Sequence, residues 1–353
     1  PQSTTIVNIE GPPNLEDSDN DDDELSEDED VEQPVSSTGP PLVSTTNQSG
    51  TPITTRITIG TDCSGMEAPI QALNNIDINY DHLFSCDCDK HVRQTIEANY
   101  KPTTYYNDIT TRDNNDVPTV DIYVAGFPCQ PFSTAGKQKG FNDCRGTIFF
   151  NILDYLRKKS PKVFILENVK GLVTLENGRC KILDKLRQLG KYNIHEEVLN
   201  TKDHGIPHHR TRWYCVGIRT DVDTGSFEWP KAIKCPPFES ILEPIDANRS
   251  TGEPLDSRQL ARDNITRATN KILQSGGNPN TDEYIADVDA AKQRMKWIKD
   301  ISPCITRSRN KGHWLIKHKR RMTITEMMRL QGMDPTKFIL AIPEPNLGHQ
   351  IGN

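Results

Sequence analysis

Between Arg56 and Arg219 short β-rich runs return six times, with helical stretches in the gaps. The runs are 56–60 (RITIG), 82–86 (HLFSC), 120–125 (VDIYVA), 162–166 (KVFIL), 193–199 and 212–219 (RWYCVGIR). In 147–158, Ile148, Ile152 and Leu156 recur every four residues beside Phe149 and Leu153. Residues 179–189 repeat the pattern with Ile182, Leu183, Leu186 and Leu189, and 89–99 form a further predicted helix. Apolar residues at that spacing make one buried helix face. Strands that alternate with helices predict an α/β fold, a mostly parallel, doubly wound sheet covered on both faces. Ligands in such sheets bind beyond the carboxyl ends of the strands.

After Trp229-Pro230 this rhythm stops. Residues 231–300 carry several Pro and Gly, many charges and no strong strand pattern, which predicts a smaller, irregular, partly helical domain. A basic stretch, RSRNKGHWLIKHKRR, follows at Arg307–Arg321. With His313 and Trp314 inside it, this stretch suits nucleic-acid contact as well as a plain solvated face.

Charge divides the chain unevenly. Residues 1–55 have 13 acidic residues, 12 of them between Glu16 and Glu32, and no Lys or Arg. The remaining residues therefore carry 42 basic against 36 acidic side chains, a net +6 under an overall −7. A polar acidic segment of this kind cannot bury enough surface to order itself, so 1–55 is predicted to be a disordered tail. Its simplest role is solubilisation; mimicry of a nucleic-acid backbone is the sharper alternative. The nine cysteines form no C-x-x-C pair, so no metal site is expected. No signal peptide or apolar 18-mer is present, so an intracellular, reduced protein without membrane contact is expected, nuclear if the source is eukaryotic.

Reactive residue types gather just past the strands. Cys129, in AGFPCQPFSTAGKQKG (Ala125–Gly140), follows one strand by a few residues and precedes a Gly/Lys-rich loop. A partly exposed thiol in an electropositive setting has a lowered pKa and becomes a nucleophile. FILENVKGL (Phe164–Leu172) empties into Glu167-Asn168, a candidate acid beside the thiol. In HGIPHHRTRWYCVGIR (His204–Arg219), Arg210 and Arg212 alternate at a strand start and face one side. Two guanidiniums on one face can stabilise a developing anion.

Pro128-Cys129-Gln130, Glu167-Asn168-Val169, Arg210-x-Arg212, Arg320–Glu326 with Gln331-Gly332, and Gln350–Asn353 occur in the order seen in C5-cytosine DNA methyltransferases, which the chain resembles from about Arg56 to Asn353. The resemblance implies a Rossmann-like S-adenosylmethionine-dependent fold, with residues 56–230 as catalytic and cofactor-binding domain, 231–340 as target-recognition domain and 341–353 as the start of a return segment. It implies methyl transfer from S-adenosylmethionine to C5 of cytosine in double-stranded DNA, with a monomer favoured. Cys129 would add to C6 of a base flipped from its helix, Glu167 would contact N3 and the exocyclic amine, and Arg212 would sit at O2. Arg210 would hold Glu167 or the thiol loop, with Asn168 completing the catalytic set. The loop 133–145 would close over the flipped nucleotide, its glycines permitting the swing. Gln130, Ser133, Lys137, Lys139 and Arg145 from this loop, with Arg307, Arg309 and Arg320, would meet DNA.

The same resemblance puts the methionine-binding turn at GTDCSGMEA (Gly60–Ala68). Gly65 matches a family glycine, Asp87 the ribose-binding acid and Asp108 the acceptor for the adenine amine. Ile109, Pro128 and Asn353 complete the implied site. Cys63 replaces an aromatic, Cys88 a large apolar residue, and Glu67-Ala68 two glycines. Loss of stacking platforms worth ~1–3 kcal/mol each predicts a working but weakly bound cofactor. Because the family's chain continues past Gly352-Asn353, the sequence is expected to be a fragment. Transfer to tRNA is one alternative; the Gln-Pro-Phe after Cys129 is of the DNA type. A catalytically impaired DNA-binding scaffold is the other alternative.

Overall fold

The computed structural model describes residues 56–128, 147–174, 178–244 and 258–353. The first unit runs β1 (Ile57–Asp62), α1 (Ala68–Asn75), β2 (Tyr80–Cys86), α2 (Lys90–Asn99), β3 (Thr104–Tyr106), β4 (Ile122–Gly126) and α3 (Thr147–Lys159). It continues with β5 (Val163–Val169), α4 (Gly171–Thr174), α5 (Gly178–Arg187), β6 (Tyr192–Asn200) and β7 (Thr211–Arg219). Its seven strands are ordered β3-β2-β1-β4-β5-β7-β6. The first five are parallel, and β7 inserts antiparallel between β5 and β6. The strand order reverses between β1 and β4, the switch point where ligands of such sheets bind.

All six β-rich runs are strands of this sheet, and the three predicted helices are α2, α3 and α5. On α3, Ile152 and Leu156 of the stripe and the neighbouring Phe149 are fully covered, in one cluster with Phe84, Tyr123 and Phe164 of the sheet, while Ile148 is partly buried. Each such side chain contributes roughly 1.5–3 kcal/mol on leaving water. Gly60 is required by this packing, because a Cβ there would strike the Phe84 ring on the neighbouring strand. Helix α2 starts on Asp89, whose carboxylate accepts from the His91 N–H at 2.8 Å.

The second unit is more regular than its sequence suggests. It contains α6 (Gln259–Gln274), β8 (Tyr284–Ala286), β9 (Trp297–Lys299), β10 (Trp314–Leu315), β11 (Arg320–Arg321), α7 (Ile324–Arg329) and α8 (Glu344–Gly352). The strands form an antiparallel sheet in the order β11-β10-β8-β9. Ala261, Ala268 and Ile272 of α6 pack with Ala286 and Trp314 of this sheet and with Val288 just past β8. Strands of two or three residues are too short to show alternation, so the sequence pattern could not reveal them.

A third core joins the units. Met66, from the turn between β1 and α1, packs with Ile305, Leu315, Met327, Leu347 and Ile351. Helix α8 returns to the first unit, where Thr95 of α2 donates to the Gln350 Oε1 at 2.9 Å. Among the described residues no helix is long and apolar enough to cross a membrane.

Candidate active site

The carboxyl ends of β4 and β5 and the amino end of the antiparallel β7 converge on one edge of the large sheet. Register pairs Gly126 of β4 with Glu167 of β5, and Val169 with Arg212 of β7. Arg212, only 6 % exposed, reaches back to Glu167 with Nε at 3.1 Å from Oε1. Glu167 keeps 30 % of its side chain open. Asn168 points the other way. It is buried, and its Nδ2 donates to the Phe127 carbonyl at 2.8 Å. It therefore fixes the backbone one residue before Pro128 rather than facing a substrate. Cys129, Gln130, Ser133, Lys137, Lys139 and Arg145 lie outside the described residues, as does the acidic segment 1–55. Pro128, the last described residue before Cys129, is partly buried.

Arg210 does not hold Glu167. Its Nη1 donates to the Ile305 carbonyl at 3.1 Å and its Nη2 to the Asn353 carbonyl at 3.2 Å. It ties the approach to β7 to the second unit and to the end of α8. Cys304 lies between the two guanidiniums, 3.9 Å from Arg210 Nη1 and 3.8 Å from Arg212 Nη2. His208, two residues before Arg210, is fully buried. Its Nε2 accepts from the Ile305 N–H at 3.0 Å, so Nδ1 carries the proton and donates to the Leu330 carbonyl, also at 3.0 Å. Burial, then the charge of Arg210, holds the His208 pKa well below the usual imidazole range. Sequence reasoning passed over His208 and Cys304. The dense HGIPHHRTR stretch was the available sign of the former, whereas nothing near Cys304 marks it.

The turn after β1 forms the other half of the edge. Cys63, Gly65 and Glu67 all have left-handed backbone, with φ of 52°, 52° and 58°. Such geometry costs a non-glycine residue roughly 1–2 kcal/mol. Hydrogen bonds hold it in place. Ser64 N–H donates to the Cys86 carbonyl at 3.1 Å, and Gly65 N–H to Asp87 Oδ2 at 3.1 Å. The Glu67 side chain, fully buried, turns inward, where its Oε1 accepts from Thr61 Oγ1 at 2.7 Å and Ser85 Oγ at 2.5 Å. Glu67, which stands where the resemblance has a glycine, therefore does not fill the space above the turn. Burial pushes the Asp87 carboxyl up, against the N–H groups of Asp89 and Gly65 that favour its charge. Burial, then Asp62, pushes the Cys63 thiol well up, so it is inert. Cys88 is exposed beside them.

Asp108 lies just past β3, its Oδ1 accepting from the Thr110 N–H and hydroxyl, both at 2.7 Å. Ile109 is buried in the main core and offers little side-chain surface to a ligand. Helix α1 begins without a side-chain cap, and since Pro69 has no N–H, the N–H groups of Ala68 and Ile70 are the ones left for an anion. A carboxylate at that helix start, hydroxyls at Asp87 and an amine at Asp108 describe a ligand with the polar groups of S-adenosylmethionine, and the residues present fit it.

The basic stretch is mostly engaged within the protein. Arg309 pairs with Asp287 at 2.7 Å. Arg320 forks onto Glu326, which is fully buried, at 2.6 and 2.8 Å. Burial opposes the Glu326 charge, but Arg320 and the N–H groups of Glu243 and Thr323 overcome it and hold the pKa low. Thr323 and Glu326 also form the capping box that starts α7. Arg309 and Arg320 thus each hold an acidic partner within the protein, whereas Arg307 is exposed.

Comparison with known proteins agrees with this geometry. The family model of C-5 cytosine-specific DNA methylases matches residues 61–353. The Type II methyltransferase M.NgoBI of Neisseria gonorrhoeae is 37 % identical over 283 residues, 77 % of this chain and 81 % of that protein. The Type II methyltransferase M.HaeII of Haemophilus aegyptius is 37 % identical over 277 residues, with the same coverage. Among solved structures, the S. pombe Dnmt2 methyltransferase superposes with a TM-score of 0.59 at 20 % identity, over 84 % of this chain and 94 % of that one, a likeness of fold.

Proposed function

The chain belongs to the C-5 cytosine-specific DNA methylase family and transfers a methyl group from S-adenosylmethionine to C5 of cytosine in DNA, and we propose that Cys129, Glu167 and Arg212 carry out the reaction on a base flipped from a double helix. The observation that carries this assignment is the Arg212–Glu167 pair at the sheet edge, with Glu167 in register with Gly126, three residues before Cys129.

Cytosine is a poor carbon nucleophile. The Cys129 thiolate adds to C6, which breaks aromaticity and places electron density on C5. The α1 turn, Asp87 and Asp108 would hold S-adenosylmethionine, which would supply an electrophilic methyl group to C5 and leave as S-adenosylhomocysteine. Glu167 hydrogen-bonds N3 and the exocyclic amine and gives a proton toward N3 as density reaches the ring. Arg212 steadies both Glu167 and the charge at O2. Asn168 is a positioning residue, since it fixes the Phe127 carbonyl at the root of the Cys129 loop. N3 returns its proton to Glu167, and loss of the C5 proton to water then expels the Cys129 thiolate and restores the ring. Flipping costs a few kcal/mol, which contacts to phosphates must offset. The unit at 231–340 would choose the target site, and the protein would act as a monomer.

A duplex containing 5-fluorocytosine tests the assignment, because fluorine at C5 blocks the elimination. With S-adenosylmethionine the wild type should give an adduct that survives denaturation, and Cys129→Ser should give none. Absence of adduct from wild type on an otherwise methylated duplex would refute the covalent role of Cys129.

A further inference from the structure

Side chains from β1 to β4 meet around a buried charge that the methyl-transfer chemistry does not use. Asp62, the last residue of β1, is fully covered, and the Arg112 side chain is 4 % exposed. The two form a fork, Nη1 to Oδ1 at 2.5 Å and Nη2 to Oδ2 at 2.6 Å. Tyr123 of β4 donates to the same carboxylate at 2.5 Å. The Arg112 guanidinium lies 5.4 Å from the Phe84 ring of β2, 5.2 Å from Tyr106 of β3 and 5.9 Å from Tyr155 of α3. A buried charge persists only when it is fully partnered, and here one arginine gathers an anion and three ring faces.

Both ends of this pair sit on cofactor elements. Asp62 immediately precedes Cys63 and the left-handed turn. The Arg112 N–H closes onto the Asp108 carbonyl at 3.3 Å, so the guanidinium hangs from the loop that carries Asp108. The Arg112 Nε also donates to Asn114 Oδ1 at 3.1 Å, and Asn114 in turn donates to the Asn151 carbonyl of α3 at 3.0 Å. We propose that Asp62 and Arg112 are positioning residues for the cofactor, a strut that sets the spacing between the turn at 63–67 and Asp108 and thereby the selection of an adenine ring. The proposal rests on the assignment of Asp108 to the adenine amine.

Binding of S-adenosylhomocysteine and of its inosine counterpart, measured by calorimetry, tests the strut. Wild type should prefer the adenine compound, and Asp108→Ala should lose that preference. Arg112→Lys keeps the charge but not the fork. It should weaken S-adenosylhomocysteine about tenfold and flatten the adenine preference. The KM for the methyl donor should rise while kcat and DNA affinity hold. Asp62→Asn should act in the same direction, and Tyr123→Phe, the mildest change, more weakly. If Arg112→Lys fails to fold, the other two variants carry the test. An undiminished adenine preference in the folded variants, alongside its loss in Asp108→Ala, overturns the strut alone. Retention of the preference in Asp108→Ala overturns the adenine assignment and the strut with it.

Discussion

The two ends of the site are built on opposite principles. At the base-binding end, Glu167 and Arg212 lie on adjacent strands whose register alone brings them together, and Glu167 stays 30 % open to water. At the cofactor end, the turn from Cys63 to Glu67 holds three left-handed residues, and its anchors, Glu67 and Asp62, are fully buried. One end spends little fold stability on its chemistry. The other is woven into the core, so changes there should register in stability as well as in binding.

The sharpest break in this comparison should come from Glu167→Gln. The amide keeps the shape but cannot give the proton, so kcat/KM should fall by about 10²–10⁴. Unfolding by urea should move by about 1 kcal/mol or less, because the amide oxygen still accepts from the buried Arg212 guanidinium. Steady-state methylation and a denaturation curve on the same preparation check both halves. A stability loss as large as the activity loss would erase the proposed division between the ends.

Arg112→Ala is the counterpart. It leaves Asp62 buried and unpaired, which costs about 3–5 kcal/mol. The urea midpoint should drop sharply, and saturating S-adenosylhomocysteine should recover part of the loss by mass action. A midpoint shift no larger than that of Glu167→Gln would show that the cofactor end is not bound into the core.

A smaller effect should appear with pH. The His208 pKa is depressed in the folded protein, so below about pH 6.5 the unfolded chain takes up a proton that the native chain refuses. The stabilisation is present above that pH and is lost as pH falls toward the folded pKa, at about 1.4 kcal/mol per unit. His313, also depressed by burial, adds to the slope. His208→Asn should be less stable at pH 7.5 but show a shallower decline between pH 6.5 and 5.5, as read from denaturation midpoints. An unchanged slope would place the pH sensitivity elsewhere.

Much of the large sheet was legible because strands buried on both faces read as apolar runs, and α3 carried its stripe openly. Glu167 and Arg212 were legible because they follow such runs directly. The partners of Arg210, Arg309 and Arg320 were hidden in the sequence for one reason. A basic residue in sequence gives no sign of a partner far along the chain, such as the Asn353 carbonyl, or of one buried beside it, such as Glu326. Asp62 and Arg112 were invisible on the same ground, since 50 residues separate a pair that only strand order brings together.

The least change should come from Glu67→Gly, and there two costs oppose each other. Glycine relieves a left-handed residue, a gain of roughly 1–2 kcal/mol. It also removes the acceptor of Thr61 and Ser85, buried hydroxyls whose loss of a partner costs about 1–3 kcal/mol. Ser85 keeps a contact to His82 Nε2 at 3.0 Å, and Thr61 keeps one to Ser64 Oγ at 2.8 Å, which trims that cost. The net should be a destabilisation of about 1 kcal/mol or less by urea. Because the Glu67 carboxylate faces inward, S-adenosylhomocysteine affinity should shift by no more than about threefold. A gain of tenfold or more would mean that the glutamate crowds the cofactor after all, and that the cofactor end gives up affinity for the sake of its buried anchors.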